Sequence, residues 1–245
     1  MADREIIPLP PAEEQARDDA GNVIGVDRRL FMQLMVFRGD LEEKELRQSL
    51  SRSDMEFVLY RDAYDPWGVG LLTMNEDPAF FTEELRSYLR TSPFARMTRD
   101  HRYGMFGRSY TLGHEKNPEE VLLSRPRERA SNPDWPWAIW YPLRRRGTFA
   151  MLPEEEQREI LAEHGHLGMA FGRAGFGVDI RLASFGIDTE DNDFLIGLVG
   201  PSLHRLSLIV QTMRKTEHTA RYLERLGPFF VGHTLERYVK GSVNR

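Results

Sequence analysis

Two stretches of the chain carry the same succession of elements, and this duplication narrows the possible folds more than any other feature. In the first, "LFMQLMVFR" (30–38) is a strand apolar on both faces and "LEEKELRQSL" (41–50) is a helix. "MEFVLYR" (55–61) and "GVGLLTM" (68–74) follow as a strand pair across the turn signals Asp65 and Pro66. "DPAFFTEELRSYLR" opens a second helix with Asp77 as N-cap and Pro78 at the first helical position, and "YGMFGRSYTLG" (103–113) closes the unit as a strand. From residue 136 the order recurs with strand "PWAIWYPL" (136–143), a long helix, and strands "VDIRLASFG" (178–186) and "DFLIGLV" (193–199). Helix "SLHRLSLIVQTMRK" (202–215) and strand "GPFFVG" (227–232) complete it. β-α-β-β-α-β read twice predicts an α+β protein of two ferredoxin-like units, 28–113 and 136–237, joined by a proline-bearing connector over 114–135. Two such sheets can pair along an edge or close together as a dimeric α+β barrel. Residues 1–27, polar and rich in proline and acid, read as an N-terminal arm.

Composition removes several classes of function. A net charge of −5 with no basic stripe argues against nucleic acid as a partner. The absence of cysteine excludes disulfides, thiolate nucleophiles, cysteine zinc sites and cysteine-held iron–sulfur clusters. No GxGxxG or Walker loop is present. With no apolar segment long enough to span a bilayer and no signal-like stretch at the start, membrane insertion is not expected and the cytoplasm is the expected compartment.

The long helix of the second unit, within "TFAMLPEEEQREILAEHGHLGMAFGR" (148–173), poses the chemical question. Pro153 and the glutamates 154–156 mark its start, where acidic side chains favour the positive end of the helix dipole. Ile160, His164, Leu167 and Phe171 then share one face, so an imidazole stands in an apolar stripe, while His166 points away. Such a histidine is either a core residue bonded to a carbonyl or carboxylate, or a ligand. The next strand alternates Val178, Ile180 and Leu182 with Asp179, Arg181 and Ala183, which gives it one polar face. If that face lies across from the helix, the two enclose a slot for a planar cofactor, and haem is the commonest that needs one axial histidine.

"YPLRRRG", "MLPEEEQREILAEHGHLG" and "MRKTEHTARYLERLGPFFVG", in that order, resemble successive signatures of the chlorite dismutase family, and of its coproheme decarboxylase branch in particular. The resemblance is strong over 136–232 and weaker over 28–113. It implies a duplicated ferredoxin-like fold, a homo-oligomer that is usually a pentamer, and a bound porphyrin, coproheme or haem b, with its iron. His164 matches the proximal iron ligand, and Tyr141 matches the tyrosine oxidised during decarboxylation. Arg127, Arg145 and Thr219 fall at propionate-binding positions. Asp179 falls at the distal position, with Arg181 two residues on as the alternative if a bulge displaces the strand, and with Arg181 a second catalytic candidate. The implied reaction is decarboxylation of coproheme to haem b with hydrogen peroxide as oxidant. The alternatives are chlorite or peroxide decomposition on haem b, and a haem carrier without turnover.

Overall fold

The alternation written into each strand decides how the chain closes. The computed structural model describes residue 9 and residues 11–17, 21–113 and 115–240; of the expected arm, residues 1–8, 10 and 18–20 lie outside the described residues. Within that arm β1 (Glu14–Arg17) and β2 (Val23–Val26) form an antiparallel hairpin, a structure that its polar composition did not announce. Glu14 clamps it to the body, accepting from Thr111 N and Oγ1, both at 3.1 Å, and pairing with Arg108 at 3.1 Å.

The first unit runs β3 (Phe31–Arg38), α1 (Glu43–Leu50), β4 (Glu56–Asp62), β5 (Gly68–Asn75), α2 (Ala79–Thr82), α3 (Glu84–Thr91) and β6 (Thr98–Arg108). Asp77 accepts the Ala79 N–H at 2.9 Å, as its N-cap reading requires, but the backbone breaks at Glu83 and splits the expected helix in two. β6 begins five residues before the expected 103 and leaves the sheet at Arg108. Its first residues are polar and pair with Val36–Arg38 at the open end of the sheet, so burial leaves no trace there in the composition. The connector carries a π-turn (Glu120–Ser124) and α4 (Arg125–Ser131).

The second unit runs β7 (Trp137–Arg145), α5 (Gly147–Ala150), α6 (Glu154–Arg173), β8 (Val178–Ala183), β9 (Phe194–Gly200), α7 (Leu203–Met213), α8 (Glu217–Tyr222), β10 (Leu223–Leu226) and β11 (Phe230–Tyr238). The strand order is β10-β7-β11-β4-β5-β3-β6-β8-β9, and β9 returns to β7. Each unit therefore has the ferredoxin-like order, β4-β5-β3-β6 in one and β8-β9-β7-β11 in the other. The second strand of each joins the fourth strand of its counterpart, which closes an antiparallel ring. β10 extends beside β11 along the same edge of β7.

Residues at alternate positions, among them Leu34, Val58, Leu72, Trp140, Ile180, Leu195 and Phe230, fill the interior of the ring. Trp140 lies flat over Gly197, where an added Cβ would stand 2.5 Å from the indole. With its interior occupied, the ring offers ligands only its outer faces. Met35, Phe57, Leu59 and Leu71 face outward in the first unit and are covered by α1 and α3 through Leu46, Leu50 and Leu85. In the second unit Ile139, Leu198 and Val231 face outward beneath Leu206 and Ile209 of α7. α6 is different: over twenty residues only Ile160 is fully buried. His164, Leu167 and Phe171 keep the predicted common face and His166 is exposed, yet the stripe is only half covered. Among the described residues no helix is long and apolar enough to cross a membrane.

Candidate functional site

The half-covered stripe of α6 brings His164 to the outer face of the second sheet. Thr216, which caps α8, places its Oγ1 3.3 Å from His164 Nδ1. The single proton of that hydroxyl goes to the Met213 carbonyl at 2.8 Å, so Thr216 accepts from Nδ1–H. This fixes the tautomer and leaves the Nε2 lone pair available to a metal. Burial lowers the His164 pKa and keeps the ring neutral, the form that ligates. Thr219, one turn into α8, stands 3.3 Å from Thr216 through their hydroxyls and so joins the same small network. One turn further along the same helix face, a Cβ at Gly168 would meet only the Met213 methyl, at 3.5 Å, an ordinary contact.

β7 contributes Tyr141 and Arg145 to this face. Tyr141 is outward, half-buried beside Phe171 and Ile196, with its ring stacked on Phe229 at 4.8 Å. Desolvation pushes its pKa far up, and Asp179 adds to the effect, so the phenol keeps its proton throughout the physiological range. Arg145 packs against the Phe194 and Phe149 rings, 4.6 and 5.0 Å from their centroids. Its Nε donates to His218 Nε2 at 3.0 Å, and among the described residues no carboxylate forms an ion pair with the guanidinium, although Asp193 lies in its field.

β8 contributes the polar face that its alternation predicted, with Ile180 and Leu182 inside the ring and Asp179 and Arg181 outside. β8 pairs with β9 without a register shift, so the strand has no bulge; both residues share the outer face because they are two apart. Arg181 Nε lies 3.2 Å from Asp179 Oδ2. Arg129 of α4 holds the other carboxylate oxygen at 3.3 Å and donates to the Asp179 carbonyl. Arg127 is not brought to this face. Its guanidinium is held by Glu56 at 3.0 Å, Glu76 at 3.4 Å and the Leu123 carbonyl at 3.0 Å. Residues two positions apart on a helix lie about 200° apart around its axis, so when Arg127 turns to the first unit Arg129 turns to the second.

Sequence reasoning therefore missed Arg129, Thr216, His218 and Tyr110. Tyr110 packs on Phe194 at 5.7 Å and lies in the field of Arg181 and Arg145. Only contacts between distant segments disclose these four. Among the described residues no three His, Cys, Asp or Glu side chains converge on a point that could hold an ion.

A closed ring of two ferredoxin-like halves, with a helix-borne imidazole and an arginine that pairs with no carboxylate among the described residues on the outer face of the second, defines a dimeric α+β barrel. The family model described as Chlorite dismutase matches residues 17–235, and the chain belongs to the chlorite dismutase family. A coproheme decarboxylase of Mycolicibacterium smegmatis is 27% identical over 144 residues, a match that spans 53% of this chain and 58% of that protein's length. Among solved structures, a heme-binding protein from Thermus thermophilus superposes with a TM-score of 0.67 at 20% identity, covering 85% of this chain and 91% of that one. A variant chlorite dismutase from Candidatus Nitrospira defluvii superposes at 0.64 with 14% identity, covering 84% and 92%. At these identities the two superpositions establish the shared fold.

Proposed function

We propose that this chain binds a haem-type iron tetrapyrrole on the outer face of its second sheet and catalyses the peroxide-driven decarboxylation of coproheme to haem b. The observation that carries this reading is the donor set. Among the described residues, one neutral imidazole with a free Nε2, a guanidinium without a carboxylate partner and a protonated phenol lie on the outer face of the second sheet beside a half-covered helix stripe. A single axial ligand fits a macrocycle that supplies the other metal ligands, and an unpaired arginine fits its carboxylate side chains. The relative named coproheme decarboxylase supports the choice of substrate.

When bound, the iron supplies the redox chemistry with hydrogen peroxide. The remaining roles belong to the chain. His164 holds the metal through Nε2 and Thr216 holds His164. Arg145 and Thr219 take carboxylates. Tyr141 retains its phenolic proton because it is desolvated, so oxidising it removes proton and electron together, and its outward position beneath α6 puts it on the face that receives the substrate. Asp179 and Arg181, fixed by Arg129, supply the polar groups for the oxidant. Each carboxyl group lost leaves as carbon dioxide while a propionate becomes a vinyl group and one peroxide is reduced to water.

An optical titration with ferric coproheme tests the binding half of the reading. A saturable Soret shift that is abolished in His164→Ala is expected. An identical spectrum and affinity in that variant would remove His164 from the site and with it the proposed function.

A further inference from the structure

α8 begins with two residues that grip different parts of the site. Thr216 takes the Nδ1–H of His164, and two positions later His218 takes the Nε–H of Arg145. His218 is buried, packs edge-on to the His164 ring at 5.2 Å and to Phe149 at 5.6 Å, and accepts from Arg145 on Nε2; its proton therefore resides on Nδ1, which has no partner among the described residues. The Arg145 guanidinium is thus packed against two phenyl rings and held at one edge by an imidazole. A guanidinium can present a carboxylate with either its Nε–Nη edge or its Nη–Nη end. Here the first edge is occupied by His218. Only the Nη–Nη end is left for an anion, and no carboxylate of the described residues meets it.

Resting on the reading above, we propose that His218 is a positioning residue: by occupying the Nε edge of Arg145 it selects the Nη–Nη end as the fork that binds a porphyrin carboxylate. His218 touches neither the metal nor the carboxylate in this proposal and acts only through Arg145. Without it, Arg145 keeps its charge but gains freedom to turn, and binding loses the pre-organisation of one rotamer-rich side chain.

Metal-free coproporphyrin, followed by its fluorescence, isolates this effect from iron ligation and turnover. His218→Leu keeps similar volume and removes the acceptor, whereas His218→Gln restores an acceptor near the position of Nε2. We expect His218→Leu to weaken binding about 3- to 10-fold and His218→Gln to stay near wild type. In an Arg145→Ala background the two substitutions should become indistinguishable, and with the tetramethyl ester of the porphyrin neither should matter. Equal binding by the Leu and Gln variants, or a Leu effect that persists without Arg145, would overturn the positioning role. Failure of the wild-type protein to bind the free acid at all would instead overturn the porphyrin reading itself.

Discussion

At His164 the deciding property is which ring nitrogen keeps its lone pair, and the neighbour that settles it is a hydroxyl whose own proton is spent on the Met213 carbonyl. Thr216→Val keeps the shape and removes that acceptor, so Nδ1–H is left unpaired and the imidazole is free to rotate. We expect affinity for ferric coproheme to fall by about 10-fold or more, the usual range for a lost partner of a ligating histidine, with Thr216→Ser close to wild type; a Val variant equal to wild type would show that the hydroxyl does not orient the ring. Tyr141→Phe should bind coproheme as wild type does and lose peroxide-dependent decarboxylation, and a Phe variant of unchanged rate would take Tyr141 out of the chemistry. His164 was legible in the sequence because its spacing put it in an apolar stripe. Tyr141, Arg145 and Thr219 were legible only through resemblance. Thr216, His218 and Arg129 were not legible, since what marks them is contact across 50 or more residues. Arg127 shows the limit from the other side, where one helical phase separates a residue spent on Glu56 from one that reaches Asp179.

Strands announced themselves wherever alternation placed one side chain in the ring and the next beneath a helix, as in β3, β4, β5 and β8. The β1–β2 hairpin and the first half of β6 escaped notice because they lie at solvent-facing margins, where pairing is made by backbone groups and leaves polar side chains unconstrained. Packing between elements gives its own test at Gly197, whose missing Cβ admits the Trp140 indole. Gly197→Ala should reduce unfolding stability by about 1–3 kcal/mol, as over-filling of a core usually does, and a denaturation midpoint unchanged from wild type would mean that the indole can shift freely. On β6, Asp100 is held well below the usual carboxylate range, chiefly by Arg102 and then by Arg38 at 2.9 Å. Its folded-state pKa is depressed, so the stabilisation is fully present above the unfolded value near pH 4, begins to decline below it, and is lost only as the pH falls on through the much lower folded-state value. Asp100→Asn should be less stable than wild type at pH 7 by on the order of 1–2 kcal/mol, and urea midpoints at pH 3 should show that gap narrowed but not closed, because the folded-state carboxylate is still largely ionised there. A gap of equal size at both pH values would contradict the assignment.

For the molecule as a whole, duplication does more than repeat a unit. The second strand of each half completes its pairing on the fourth strand of the other, so neither sheet is closed without its counterpart, and the interior that results is packed with side chains from both. The halves should therefore lose structure together, and tryptophan fluorescence and far-UV dichroism should report one coincident transition. The same closure sends the chemistry outward. The first unit covers its outer face with α1 and α3, whereas the second leaves α6 half-covered beside a histidine, a tyrosine and an arginine that pairs with no carboxylate among the described residues. The most direct test of that account is to load the protein with ferric coproheme, add stoichiometric hydrogen peroxide, and follow the porphyrin by mass spectrometry. Stepwise loss of carboxyl groups to give the mass of haem b is the predicted result, and coproheme that stays bound at unchanged mass while peroxide is present would contradict it.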